Sequence, residues 1–224
     1  MRTSFHPARP LVLLIALMML TFGSCRETGS HPTSSPQETL NLLQVIDRPT
    51  ADSNYRRAAF GRAWADVDDD GCNARDQVLF STLDKHRPYQ VRRQGRCPTD
   101  VLAGTWTDLY SHQEMTWTDL KEPTQAERLP LDHILSLAGA WRYGAHDWTS
   151  DERLQFANDP LNLTATTSKI NSAKSDLDPA SWTPPKPGGC DYATRYIAVK
   201  ARYRLPVDRS EKKALDRLLR SCPG

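Results

Sequence analysis

The chain of 224 residues has little glycine and no long hydrophobic run. Its 11 Gly and 16 Pro exclude a collagen or a low-complexity polymer. No segment repeats at a solenoid period, which excludes a repeat array. The main apolar stretch, residues 11–22, is shorter than the roughly 20 residues that a membrane-spanning helix needs. The length fits one compact domain with tails, because a domain takes about 100–200 residues.

Residues 1–25 predict an export signal. Arg2 and Arg9 precede the apolar stretch, and small residues with Cys25 close it. The last four residues are similar to a bacterial lipobox, which predicts lipidation of Cys25; soluble secretion after cleavage near Gly23 is the alternative. Of the five cysteines, Cys25 is left over if the other four pair, which favours lipidation. Either route places the mature protein outside the cytoplasm, where disulfides persist.

Charge is nearly balanced once the signal is removed. Without residues 1–25 the chain has 27 basic and 27 acidic residues, although the segment from Lys186 onward carries an excess of six positive charges. A basic end on a neutral protein is weak evidence for polyanion binding. Residues 26–50 are rich in Ser, Thr, Pro and Gln and predict a flexible linker. The folded domain is therefore predicted at residues 51–224.

Local patterns predict several elements in the first half of this domain. Apolar residues at helical spacing predict helices over residues 53–64 and 74–83, and polar-aromatic alternation predicts a hairpin over residues 106–117. The acids of residues 66–70 imitate the start of a calcium-binding loop, but Gln77 stands where a bidentate Glu is expected. A solvated acidic turn is the favoured interpretation, with a calcium-stabilised lipoprotein as an alternative.

The C-terminal segment predicts a helical hairpin. Tyr192, Tyr196 and Val199 follow a helical stripe, and Asp208 begins a second helix after a short link. Helices joined so closely pack antiparallel, which brings the start of the first beside the end of the second. Those ends carry Cys190 and Cys222, which predicts a disulfide between them. Cys72 and Cys97 are then the remaining pair.

Four polar residues in the middle of the chain are predicted to converge. Asp132 and His133 end a short strand, Asn162 begins a second one, and Asn171 lies in the first turns of the following helix. Carboxylate and amide oxygens are hard ligands that suit Mg²⁺ or Mn²⁺. A histidine beside such a ligand, but not bound to the metal, can take a proton from water. Phosphodiester hydrolysis needs this combination of base and cation.

The same order of residues resembles the ββα-metal, or HNH, endonucleases. It is most similar to secreted bacterial HNH proteins related to the C-terminal domain of the GmrSD restriction enzyme. The resemblance extends over residues 52–222 and includes, besides the site, residues 55–64, 71–75, 141–145, 158–163, 178–182, Cys190 and residues 197–200. It implies an α+β fold in which an HNH ββα-metal core is embedded among helices, with the helical hairpin and two disulfides.

The resemblance also implies a role for each site residue. Asp132 and Asn171 bind the metal, His133 is the general base, and Asn162 holds the loop between the strands by hydrogen bonds. Lys174 faces the scissile phosphate. Where the family usually has an arginine directly after the helix asparagine, this chain has Ser172, which weakens the expected phosphate affinity. Asn rather than His at position 171 favours Mg²⁺, or Mn²⁺, over Zn²⁺.

The predicted function is an extracytoplasmic, metal-dependent endonuclease that acts on DNA, with RNA left open as a second substrate. Its predicted contact with a membrane is only through a lipid at Cys25, and no protein partner is predicted. The alternative is a catalytically silent cell-surface binding module that keeps the HNH fold. The loss of the usual arginine and the neutral charge favour this alternative, whereas the presence of Asp132, His133 and Asn171 opposes it.

Overall fold

The structure, a computed structural model, describes residues 34–51 and 54–223. This part has the α+β fold that the sequence predicts. Its helices are α1 Pro36–Leu42, α2 Ala74–Ser81, α3 Pro123–Arg128, α4 Leu137–Arg142, α5 Ser150–Asn158, α6 Ser168–Lys174, α7 Gly189–Arg202 and α8 Arg209–Leu219. Its strands are β1 Val45–Ile46, β2 Gln90–Gln94, β3 Cys97–Thr107, β4 Glu114–Trp117, β5 Leu131–His133, β6 Leu163–Ala165 and β7 Val207–Asp208. None of the described helices is long and apolar enough to cross a bilayer.

The predicted export signal lies outside the described residues. Cys25, the predicted lipidation site, falls there with it, as does the beginning of the predicted linker at residues 26–33. Both therefore stay predictions.

The strands form three small sheets. Strands β2, β3 and β4 make an antiparallel sheet, and the β3–β4 pair is the predicted hairpin, with Trp106 opposite Met115. Strands β5 and β6 pair antiparallel, with Asp132 opposite Thr164. Helix α6 follows β6 directly, and the Thr167 side chain caps it by accepting from the Ile170 N–H. The predicted ββα core is thus β5, β6 and α6.

Two clusters of buried apolar side chains meet where β5 ends. Leu131 on β5 packs in the cluster built on β3 and α2. Ile134 and Leu135, just after β5, pack in the larger cluster built on α4, α5, α7 and α8. Asp132 and His133 lie where the chain passes from one cluster to the other. Their exposed fractions are accordingly only 6% and 7%.

The C-terminal hairpin has the predicted form. Helices α7 and α8 pack together, and the Asp208 side chain caps α8 by accepting from the N–H groups of Ser210 and Glu211. Cys190 at the start of α7 is bonded to Cys222 just beyond α8. The second disulfide links Cys72, before α2, to Cys97, at the start of β3. Both bonds that the sequence predicts are present.

The predicted helix over residues 53–64 is wrong for the described residues. Only a short 3-10 helix forms, Arg57–Phe60, and it ends at Gly61, whose φ of 75° is incompatible with continuing a right-handed helix. Tyr55 and Phe60, two of the aromatic residues at helical spacing, both pack on Trp141. Their spacing therefore reflects a shared tertiary partner and not a helix.

The structure also differs from the prediction of a flexible linker up to residue 50. A capping box between Ser35 and Glu38 begins α1, and Leu40 is completely buried. Strand β1 pairs in parallel with β7, so Val45 lies opposite Val207. The compact unit therefore extends from residue 34, because the few apolar residues in this polar segment find a surface on α7 and α8.

Candidate active site

A cavity of about 410 Å³ opens between β5, α6 and the segment that precedes α2. Asp132, His133 and Asn171 all line it, although Asn171 is far from the others along the chain. The remaining lining residues are Tyr55, Arg57, Leu131, Ser136, Leu137, Ala138, Ser172, Ser175 and Asp176. The fold thus brings together the three residues that the sequence assigns to the chemistry.

His133 is held as a neutral imidazole. Its Nε2 lies 2.8 Å from the carbonyl oxygen of Ala157. Because a carbonyl only accepts hydrogen bonds, Nε2 carries the proton and Nδ1 keeps its lone pair. Burial lowers the pKa of His133 from 6.5 to about 4. The Trp64 ring stacks nearly parallel at 6.3 Å between centroids and fixes the imidazole plane.

Asp132 is a buried carboxylate with two donors on the same oxygen. The Tyr110 hydroxyl donates to Oδ2 at 2.5 Å, and the Lys174 ammonium lies 3.0 Å from that oxygen. Neither donor occupies Oδ1. Burial raises the pKa of Asp132, whereas the Lys174 charge and the Tyr110 hydrogen bond oppose the rise. Burial also raises the pKa of Tyr110 well above its ordinary value, so the phenol keeps its proton and donates it.

Lys174 has a different place from the one predicted. Its side chain is completely buried, and besides pairing with Asp132 its Nζ donates to the carbonyl oxygen of His133 at 2.8 Å. An ammonium with these partners does not face a phosphate in the cavity. Instead, Lys174 compensates the buried charge of Asp132 and ties α6 to the end of β5.

Asn162 holds the chain that follows β5. Its Oδ1 accepts from the Leu135 N–H at 2.9 Å, and its Nδ2 donates to the Leu135 carbonyl at 3.1 Å. The backbone oxygen of Asn162 accepts from Ile134 at 2.8 Å. The side chain is completely buried and does not line the cavity. It therefore fixes the backbone next to His133.

The donor set at the cavity fits a hard divalent cation. Asp132 offers a carboxylate oxygen and Asn171 an amide oxygen, and neither is a nitrogen or sulfur ligand of the kind that Zn²⁺ prefers. Mg²⁺ binds through one or two protein oxygens and keeps several waters, for which a cavity of about 410 Å³ leaves space. These two residues are the ones that would hold the ion.

Three neighbours of the site are not assigned to it by the sequence patterns, although Arg57 and Trp64 lie in residues 55–64, which resemble the family. Tyr110 lies in the turn between β3 and β4, yet it contacts Asp132, 22 positions later. The helical spacing predicts Trp64 on the buried face of a helix, whereas its ring lies nearly parallel to that of His133, with 6.3 Å between the centroids. Arg57 lines the cavity from the 3-10 helix. No spacing in the sequence relates these residues to β5, because only the folded chain brings them near it.

The acidic turn before α2 has the features of a solvated loop. Carboxylate oxygens of Asp66, Asp68 and Asp70 lie within 4.8 Å of one another. The Gln77 amide donates into the group, to Asp68 at 2.9 Å and to Asp70 at 3.0 Å. An amide N–H stands here where a calcium loop places its bidentate carboxylate. The turn lies apart from the cavity lining.

Comparison with known proteins assigns the family. The chain belongs to the family of the C-terminal domain of GmrSD restriction endonucleases, whose sequence model matches residues 73–218. A protein of Arthroderma benhamiae, named an uncharacterized secreted protein, is 34% identical over 192 residues, which cover 84% of this chain and 85% of that protein. No solved structure matches the chain. The matched range contains the ββα core, so the family supports a nuclease-like domain.

Proposed function

We propose that this protein is an extracytoplasmic, metal-dependent endonuclease that hydrolyses phosphodiester bonds. One observation carries the proposal: His133 lines the same cavity as Asp132 and Asn171, and Nδ1 is its unprotonated ring nitrogen. A neutral base and two hard oxygen donors that can hold a cation are the groups that attack of water on a phosphodiester requires. DNA is the proposed substrate and RNA the second one.

His133 is the proposed general base. Nδ1 takes a proton from a water molecule whose oxygen then attacks phosphorus in line, and the bond to the departing 3′ oxygen breaks. The resemblance to HNH nucleases implies that the phosphate stays on the 5′ end. The Ala157 carbonyl keeps Nε2 protonated, so the basic lone pair always belongs to Nδ1. The stacked Trp64 ring restricts the imidazole to one orientation.

Asp132 and Asn171 are the proposed ligands of Mg²⁺ or Mn²⁺. A bound divalent cation supplies electrostatic stabilisation to the charge that develops on the departing oxygen. Lys174 and Tyr110 orient the Asp132 carboxylate through Oδ2. Ligand carboxylates are usually held by further hydrogen bonds of this kind.

Export is part of the proposal. The two disulfides need an oxidising compartment to persist, and the relative from Arthroderma benhamiae is named a secreted protein. Residues 1–25 are the proposed signal. A lipid at Cys25 would tether the domain to a membrane, and soluble secretion is the alternative.

Digestion of plasmid and single-stranded DNA by the purified, oxidised protein tests the function. We expect cleavage with Mg²⁺ or Mn²⁺, less with Zn²⁺ and none with EDTA. His133→Ala should lose at least about 100-fold in rate, because general-base catalysis contributes roughly 10²–10⁴-fold. His86→Ala is the matched control, since His86 is exposed and lies outside the cavity lining.

Two results would contradict the proposal. Turnover by His133→Ala equal to that of the control would remove the assigned base. An oxidised, folded protein that cleaves nothing with any of these metals would favour the catalytically silent binding module, which predicts retention of structure without hydrolysis.

A further inference from the structure

Among the described residues, three basic side chains lie in or next to the cavity, and two of them form salt bridges with acids. Lys174 is buried against Asp132. Arg142 contacts the Asp176 carboxylate at 3.2 Å and the Asp176 carbonyl at 3.0 Å. The third, Arg57, lines the cavity with an exposed side chain, and within the described residues it forms no salt bridge.

We propose that Arg57 is the phosphate-binding residue of this site, and that its guanidinium contacts the non-bridging oxygens of the phosphodiester that His133 attacks. This role rests on the proposed nuclease function. It assigns to a residue outside the ββα core the role that the resemblance implies for Lys174.

Binding of a phosphodiester in this cavity needs a positively charged side chain. A phosphodiester is an anion, and Asp132 and Asp176 both line the space that it would enter. The family that the chain resembles usually has an arginine directly after the helix asparagine, and here Ser172 lines the cavity instead. A guanidinium is well suited to the task, because its planar fork matches two phosphate oxygens at once.

The segment that carries Arg57 is fixed in place. Phe60, at the other end of the 3-10 helix, is buried and packs on Trp141 and Phe156 at centroid distances of 6.3 and 6.1 Å. The Ala59 carbonyl accepts from Arg153 Nε at 2.9 Å. The guanidinium therefore extends from an ordered backbone, which lowers the entropic cost of holding a phosphate.

Arg56 offers a matched control. It precedes the 3-10 helix, is exposed like Arg57, and is not part of the cavity lining. Arg57→Ala and Arg56→Ala remove the same charge from adjacent positions, so only a contact made inside the cavity should separate them. Arg57→Lys keeps the charge and removes the fork.

The experiment measures kcat and KM for single-stranded DNA with Mg²⁺ at several salt concentrations, together with the melting temperature. Arg57→Ala should lower kcat/KM by about 10- to 100-fold with an unchanged melting temperature, and should reduce the slope of log affinity against log salt by about 0.7. Arg57→Lys should fall between this variant and the wild type, and Arg56→Ala should stay within about threefold of the wild type.

The outcomes separate this role from the function on which it rests. Equal kcat/KM for Arg57→Ala and Arg56→Ala in an active protein overturns the role of Arg57 and leaves the nuclease intact. A drop in melting temperature that accounts for the lost activity also overturns it. If the wild-type protein cleaves nothing, the proposed function fails and the role of Arg57 fails with it.

Discussion

The part of the chain that the structure describes contains two buried lysine–carboxylate pairs of nearly the same construction. In the ββα core, Lys174 lies 3.0 Å from Asp132, and in the C-terminal hairpin Lys200 lies 2.5 Å from Glu211. Neither lysine side chain is exposed to solvent. Each ammonium also donates to a backbone carbonyl, that of His133 at 2.8 Å or that of Pro206 at 2.7 Å.

The carboxylates are matched as well. A buried tyrosine hydroxyl donates at 2.5 Å to each of them, Tyr110 to Asp132 and Tyr196 to Glu211. The difference is access, because Asp132 lines the cavity whereas the Glu211 side chain is fully enclosed between α7 and α8. The same set of groups can therefore hold two helices together or hold a ligand carboxylate in position. Burial and an ion pair alone do not identify a functional site.

Replacing the carboxylates should separate the two pairs most strongly. Asp132→Asn should lower kcat/KM by at least about 100-fold, because the cation that it would hold contributes several kcal/mol to transition-state stabilisation. Glu211→Gln should leave the rate per folded molecule unchanged. Cleavage assays normalised to the folded fraction from circular dichroism test this. A comparable loss of rate in both variants would remove the distinction between the pairs.

Replacing the lysines should destabilise both regions to a similar extent. Lys174→Met and Lys200→Met each leave a buried carboxylate unpaired, which costs about 3–5 kcal/mol of unfolding free energy. Only Lys174→Met should also lower the rate of the folded molecules, because it releases Asp132. Urea titrations with cleavage assays below the unfolding transition measure both effects. An unaltered rate in Lys174→Met would show that Lys174 does not position the carboxylate.

His133 lies beside the Lys174–Asp132 pair, and it should make the stability of the protein depend on pH. His133 has a pKa of about 4 in the folded protein and takes up a proton near 6.5 once exposed. Between these values the unfolded state binds more protons, so stability rises with pH and is lost as pH falls. The wild type should lose roughly 3 kcal/mol relative to His133→Asn across this window. If the unfolding free energies of the two proteins changed equally with pH, the prediction would be contradicted.

Removing the tyrosine hydroxyls should produce the smallest effects. Tyr110→Phe and Tyr196→Phe each delete one hydrogen bond to a buried carboxylate, which should cost about 2 kcal/mol of stability. Tyr110→Phe should in addition raise the Mg²⁺ concentration for half-maximal cleavage by about tenfold, since it loosens a ligand. The same Mg²⁺ titration on Tyr196→Phe is the control. Matching Mg²⁺ dependence in the two variants would mean that Tyr110 has only a structural role.

Much of the local structure follows from short-range signals. Thr149 and Glu152 form the capping box that begins α5, and the Thr167 side chain caps α6. The stripe of Tyr192 and Tyr196 places one face of α7 in the core. These signals are reliable because the groups that make each contact lie within one or two turns of each other.

Elements that depend on a distant partner escaped prediction. Strand β2 has an exposed side chain at every position, so no alternation marks it, and it exists because it pairs with the long β3. Helix α1 lies in a polar segment and is held by the burial of Leu40. The aromatic spacing of residues 55–64 imitates a helix, but Tyr55 and Phe60 instead converge on Trp141.

The candidate site divides in the same way. The sequence predicts Asp132, His133 and Asn171 as site residues, because adjacent strands and a capped helix can be inferred from local patterns. The burial of Lys174 as a counter-ion and the place of Arg57 in the cavity lining follow from the folded structure alone. The direction in which a long charged side chain points depends on which groups surround it after folding, and those groups come from positions that no sequence periodicity connects.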